Sequence, residues 1–122
     1  MLRVGQSAEI TRTYRRNDLA LYETLSGAQA ESVPEPLIAA LFSYLLGVKL
    51  PGSGTNYLKQ ELAFKAPAPL EVALQAKVEI TRLRPEKHLV DLWASCLTPD
   101  GKVICEGRSL VKARDVADAF AA

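Results

Sequence analysis

Apolar and polar residues alternate along Ala8 to Tyr14 (AEITRTY), the spacing of a half-buried strand. Asn17 and Asp18 then offer helix caps, and Leu19, Leu21, Tyr22 and Leu25 follow at near-helical spacing up to Gly27, a natural helix stop. A short connector, Ala28 to Val33, leads to Pro34 and Pro36. Proline is tolerated in a first helical turn because its missing N–H has no partner there. The helix that follows reads Leu37 to Leu46 with Gly47 as its cap, and no face of it is polar. A helix apolar all round has to be surrounded.

The rest of the chain supplies the wrapping. After a loop from Pro51 to Gly54 come four strand-like runs: Thr55 to Lys65, Val72 to Arg84, His88 to Leu97 and Lys102 to Lys112. Short breaks at Pro67-Ala68-Pro69, Pro85-Glu86 and Pro99-Asp100-Gly101 imply antiparallel pairing. The last hairpin tests the register. A type I turn with Pro99 in its second position and a Gly101 bulge puts Cys96 and Cys105 on opposite faces. A two-residue Asp100-Gly101 loop, or a four-residue loop from Thr98, puts them on one face. Only the latter gathers Val90, Leu92, Ala94, Cys96, Val103, Cys105 and Val111 together and leaves Asp91, Trp93, Ser95, Glu106 and Arg108 opposite. Both cysteines are therefore expected buried and reduced. The expected class is α+β, a strongly curved antiparallel sheet around one long buried helix. Its unpaired edges invite a two-fold partner. Residues 1–114 form the domain, and residues 115–122 form a terminal tail with a helical turn.

Composition narrows the function. The chain has 122 residues, 15 Lys and Arg against 14 Asp and Glu, and a net charge of +1. That balance argues against a nucleic-acid binder. No apolar run is long enough to span a bilayer and the N-terminus lacks an export-type apolar stretch, so the expected location is cytoplasmic. Two cysteines and one histidine, His88, fit no metal-ligand spacing, and no metal or other cofactor is expected.

Several stretches resemble the MaoC-like hotdog proteins, especially the (R)-specific enoyl-CoA hydratases. Val4-Gly5-Gln6, Asn17 to Tyr22 and Leu25-Ser26-Gly27 are similar to the family's opening. The most specific match is Leu46-Gly47, Leu50-Pro51-Gly52, Gly54-Thr55, Tyr57-Leu58, Gln60, Leu62, Phe64 and Pro67. Glu86-Lys87-His88, Asp100-Gly101, Val103 and Glu106-Gly107 continue it. The resemblance implies a hotdog fold, a dimer (homodimer or heterodimer) and an apolar tunnel for an acyl-CoA or acyl-carrier thioester.

It also exposes a departure. The family draws its acid and base from a Gly-Asp-x-Asn-Pro-x-His-x-Asp motif. Starting at Gly27, this chain reads Ala28-Gln29-Ala30-Glu31-Ser32, with no Asp, no Asn-Pro and no His. The family's helix-entry glycine, whose N–H serves the thioester oxygen, falls at or beside Glu35 and Pro36, and a proline there removes that donor. Each acid–base group is worth about 10²–10⁴ in rate. Hydration by the standard mechanism is not expected.

Glu35 is the catalytic candidate, a carboxylate at a helix N-terminus where an anion is stabilised and where other hotdog subfamilies carry a catalytic carboxylate. An ordinary first-turn glutamate, favourable by the helix dipole alone, is the commoner explanation of such a residue. Leu37, Phe42, Tyr57, Leu58 and Phe64 are candidate tunnel residues, which plain core packing also accounts for. Arg12, Arg15 and Arg16 could meet phosphates or form a solvated patch. Three functions follow: an acyl-thioester-binding partner subunit without the dyad, a thioesterase using Glu35, and an interaction module.

Overall fold

The computed structural model describes residues 1–120. Five antiparallel strands form one sheet: β1 (Ser7–Thr13), β2 (Asn56–Phe64), β3 (Ala73–Arg84), β4 (Leu89–Leu97) and β5 (Val103–Lys112), in the order β1-β3-β4-β5-β2. Two helices, α1 (Arg16–Ser26) and α2 (Glu35–Tyr44), lie between β1 and β2 in the chain. Asp18 accepts the Arg15 N–H at 2.8 Å to start α1, and Gly27 ends it in the left-handed region at φ 75°. The α+β reading and the strand positions agree with this structure to within a residue or two.

The core lies between α2 and the inner face of the sheet. Ile38, Leu41, Phe42, Leu45 and Leu46 from the helix meet Leu74, Ala76, Val78 and Ile80 of β3, and Val90, Leu92, Ala94 and Cys96 of β4. All are buried. Two expectations about α2 need correction. Gly47 does not cap it; the chain continues as a π-helical turn, Leu45–Lys49, closed by the Leu50 N–H donating to the Leu45 carbonyl at 2.8 Å. Nor is the helix surrounded. Ala40, Ser43, Tyr44, Gly47 and Val48 form an exposed stripe, because a single sheet can cover only one side of a cylinder.

The last hairpin adopts the turn that the face argument rejected. The Gly101 N–H donates to the Thr98 carbonyl at 2.9 Å, Pro99 stands second in the turn, and Gly101 has φ 89°. Cys96 and Cys105 nevertheless pair directly, because Leu97 pairs with Val103 and leaves Ile104 as an extra residue in β5. This bulge shifts the alternation once more and restores the expected face. Ile104 takes the buried place assigned to Val103, which is only partly covered. Both thiols are free and buried.

The tail is not a helical turn through Phe120 but a run of turns. It packs onto the domain: Ala119 is buried, its carbonyl accepts the Leu2 N–H at 2.8 Å, and the Phe120 ring meets His88 edge-on at 5.7 Å. The end of the expected tail, residues 121–122, lies outside the described residues.

Candidate functional site

Three segments distant in sequence enclose a cleft of about 370 Å³ at one end of the sheet. The connector gives Ser32 and Val33, α2 gives Glu35 and Ile38, and the exit of β2 gives Phe64 to Ala68. Ile104 closes the wall from β5. Local chemistry fixes this geometry. The Val33 N–H donates to the Ala68 carbonyl at 2.9 Å, a single bridge that ties the connector to the β2 exit. The Lys65 N–H donates to the Ile104 carbonyl at 2.8 Å. The Pro34 carbonyl accepts the Leu37 N–H at 3.0 Å and starts α2. Pro36 brings no N–H to that first turn and the Leu37 N–H is already bonded to the Pro34 carbonyl, which leaves the Glu35 N–H as the other backbone donor there.

Glu35 thus sits where the sequence places it, exposed, at the helix N-terminus and in the cleft. Its charge is one of the lesser reasons, after burial and Cys96, that the Cys105 thiol is pushed up to about 12. Burial pushes the Cys96 thiol up to about 11. Both stay protonated near neutrality and cannot act as thiolate nucleophiles.

Of the candidate tunnel residues, Phe64 joins Glu35 in the cleft. Leu37 is half-buried, and its carbonyl accepts the Tyr14 hydroxyl at 3.3 Å. That bond seats the first turn of α2 against the end of β1. Phe42 is wholly buried in the core. Tyr57 and Leu58 stand seven and six residues before Phe64, about 20 Å along β2. Both are exposed, though the part of Tyr57 that is covered leaves its hydroxyl desolvated enough to stand above its ordinary pKa.

His88 lies at the wrong end of the sheet for Glu35. It follows the turn Pro85–Lys87, and its neighbour Leu89 pairs with Lys112. The cleft residue Phe64 pairs with Cys105, which pairs with Cys96. Seven residues of β4 separate Leu89 from Cys96, roughly 23 Å. The two groups cannot share a proton within one chain. Nor are the three arginines a free trio. Arg15 pairs with Glu71, Arg16 pairs with Glu23, and Arg12 lies 5.9 Å from the Tyr14 ring centroid. Among the described residues no group of three or more His, Cys, Asp or Glu is placed to hold a metal ion. No helix among them is long and apolar enough to cross a membrane.

Sequence reasoning missed Val33, Ala68 and Ile104, because nothing local marks them as neighbours. It also missed the role of Asp91. Assigned to the outer face, Asp91 is there but 5% exposed, held by Arg84 at 2.8 Å and by the Arg108 Nε at 2.7 Å.

Comparison with known proteins agrees with this architecture. No protein-family model matches the chain. It is 33% identical to an (R)-specific enoyl-CoA hydratase of Aeromonas caviae, covering 91% of this chain and 95% of that protein. It is 34% identical to an (R)-specific enoyl-CoA hydratase of Rhodospirillum rubrum, over 90% and 87% respectively. Among solved structures, an (R)-hydratase from A. caviae involved in PHA biosynthesis superposes with a TM-score of 0.85 at 32% identity, covering 91% of this chain and 96% of that one. The shared identity over nearly full length, together with the sheet wrapped on α2, places the chain in the (R)-specific enoyl-CoA hydratase family of MaoC-like hotdog proteins.

Proposed function

We propose that this chain binds acyl thioesters, of coenzyme A or an acyl carrier protein, in the Glu35 cleft without hydrating them by its family's acid–base pair. The observation that carries the reading is the make-up of the cleft. Its walls are mostly apolar, with Val33, Ile38, Phe64, Ala68 and Ile104 beside the polar Ser32 and Lys65, and suit an acyl chain with a polar head. It holds one carboxylate and no imidazole, and the sole histidine is roughly 23 Å along the sheet. Hydration needs a base for water, a proton for the α-carbon and donors for the thioester oxygen. Pro36 withholds one backbone donor at the helix entrance.

The chain acts as one half of a hotdog pair, with a second copy or with an intact subunit that supplies the dyad. The exposed α2 stripe and the uncovered edge strand β2, with Tyr57 and Leu58, support pairing. Its two free, buried thiols fit a reducing cytoplasm.

The test is loss of enoyl absorbance when purified protein meets a short trans-2-enoyl-CoA, with a family hydratase as positive control. The expected result is no turnover but measurable binding of the saturated acyl-CoA. Clear turnover by this chain alone refutes the reading. A second reading, thioesterase, rests on Glu35 facing the same cleft from the helix N-terminus. It requires thioester hydrolysis that Glu35→Gln abolishes. Absence of both binding and hydrolysis leaves an interaction module.

A further inference from the structure

A second cavity, of about 440 Å³, lies beside the Glu35 cleft. Pro69, Val72 and Pro99 line it together with the polar Thr98, Asp100 and Lys102, and it shares two residues with the cleft, Pro67 and Ile104. Those two residues are the wall between the cavities. Ile104 is the extra residue of the β5 bulge and is 1% exposed. A bulge re-aims a side chain out of the strict alternation of its strand, and this one buries two consecutive residues, Ile104 and Cys105. The Ile104 backbone is pinned, since its carbonyl accepts the N–H groups of Lys65 at 2.8 Å and Ala66 at 3.4 Å. A β-branched side chain on a pinned backbone is stiff, so the partition is a fixed wall and not a door.

We infer that Ile104 sets the length of acyl chain the site accepts. With Ile104 in place the acyl chain is confined to the first cavity and ends against the wall. With the side chain cut back, the two cavities merge and a longer chain continues towards Pro69 and Val72. The inference rests on the acyl-thioester reading above.

The experiment titrates the full-length protein and its Ile104→Ala and Ile104→Val variants with butyryl-CoA and decanoyl-CoA by calorimetry. The wild type is expected to prefer butyryl-CoA. Each methylene that enters the second cavity gains about fourfold in affinity. Ile104→Ala is therefore expected to bind decanoyl-CoA at least tenfold more tightly than the wild type, with butyryl-CoA changed less than threefold. Ile104→Val, which removes one methyl and keeps the branched core residue, should shift the preference in the same direction by a smaller factor. An unchanged preference in both folded variants overturns the inference while leaving acyl-thioester binding intact. So does a wild type that binds decanoyl-CoA as tightly as butyryl-CoA. Failure of all three proteins to bind either ligand overturns the acyl-thioester reading itself, and this inference with it.

Discussion

Adding one methyl group at Gly107 should separate β5 from β2. A Cβ built there lies 1.7 Å from the Glu61 carbonyl oxygen and 2.9 Å from the Leu62 Cα. A carbon rests against a carbonyl oxygen at about 3.3 Å, so β2 must retreat by more than an ångström. The obstacle is backbone, which cannot swing aside as a side chain can. Overpacking costs about 1–3 kcal/mol, and a backbone obstacle belongs at the upper end. Parting the strands around the Leu62–Gly107 pair also weakens about two ladder hydrogen bonds, worth roughly 1 kcal/mol each. The sum, about 3–5 kcal/mol, is a large share of a domain's total stability. For a chain of this size it lowers the melting temperature by about 12–20 °C. The assay is thermal denaturation of Gly107→Ala followed by circular dichroism. Gly47→Ala is its control, because nothing lies within 4 Å of a Cβ at that helical position. That change should hold or raise stability by up to about 1 kcal/mol, since alanine favours the helix. A Gly107→Ala protein that melts within about 2 °C of the wild type refutes the close approach of the two strands. A large loss for Gly47→Ala means that the exposed α2 stripe is covered by another chain.

Replacing Asp91 with Ala removes the carboxylate that holds Arg84 and Arg108. Both guanidinium groups are partly exposed and can rehydrate, so the loss is about 2 kcal/mol, below that for a fully buried ion pair, and is measured by urea denaturation. The buried thiols make stability depend on alkaline pH. Burial raises both above the ordinary thiol value, so the folded state keeps protons that the unfolded state releases. Stability should hold below about pH 9 and fall between there and about 11–12, and a Cys96→Ala, Cys105→Ala double variant should flatten that fall. A thiol-labelling reagent at pH 8 should modify neither cysteine until the protein is unfolded, because both are fully buried. Glu35→Gln should leave the melting curve nearly unchanged, since the side chain is exposed, while abolishing any thioester hydrolysis.

Much of the fold was legible because it rests on local periodicity. The five alternating runs, the Gly27 stop and the Pro34 helix start each depend on a few neighbouring residues. The hairpin between Cys96 and Cys105 shows the limit of such reasoning. Side-chain chemistry identified the right face through the wrong turn, because a Gly101 turn and an Ile104 bulge each shift the alternation and together cancel. Arg84 was invisible as a partner of Asp91 for a similar reason, a register shift in β3 between Ile80 and Arg82.

The class, the strands, the apolar helix and the place of Glu35 in its first turn all follow from residues close together in the chain. The expectation that the family's Asp and His are absent also came from reading residues 27–32 alone, without any coordinates. What meets Glu35 depends instead on tertiary packing. The cleft is assembled from residues 32–38, 64–68 and 104, and contacts over such separations leave no periodic trace in the chain. Tertiary packing likewise set His88 far from the cleft, because antiparallel pairing sends the two ends of β4 to opposite ends of the sheet. It also left one stripe of α2 bare, because one curved sheet covers only one side of a helix.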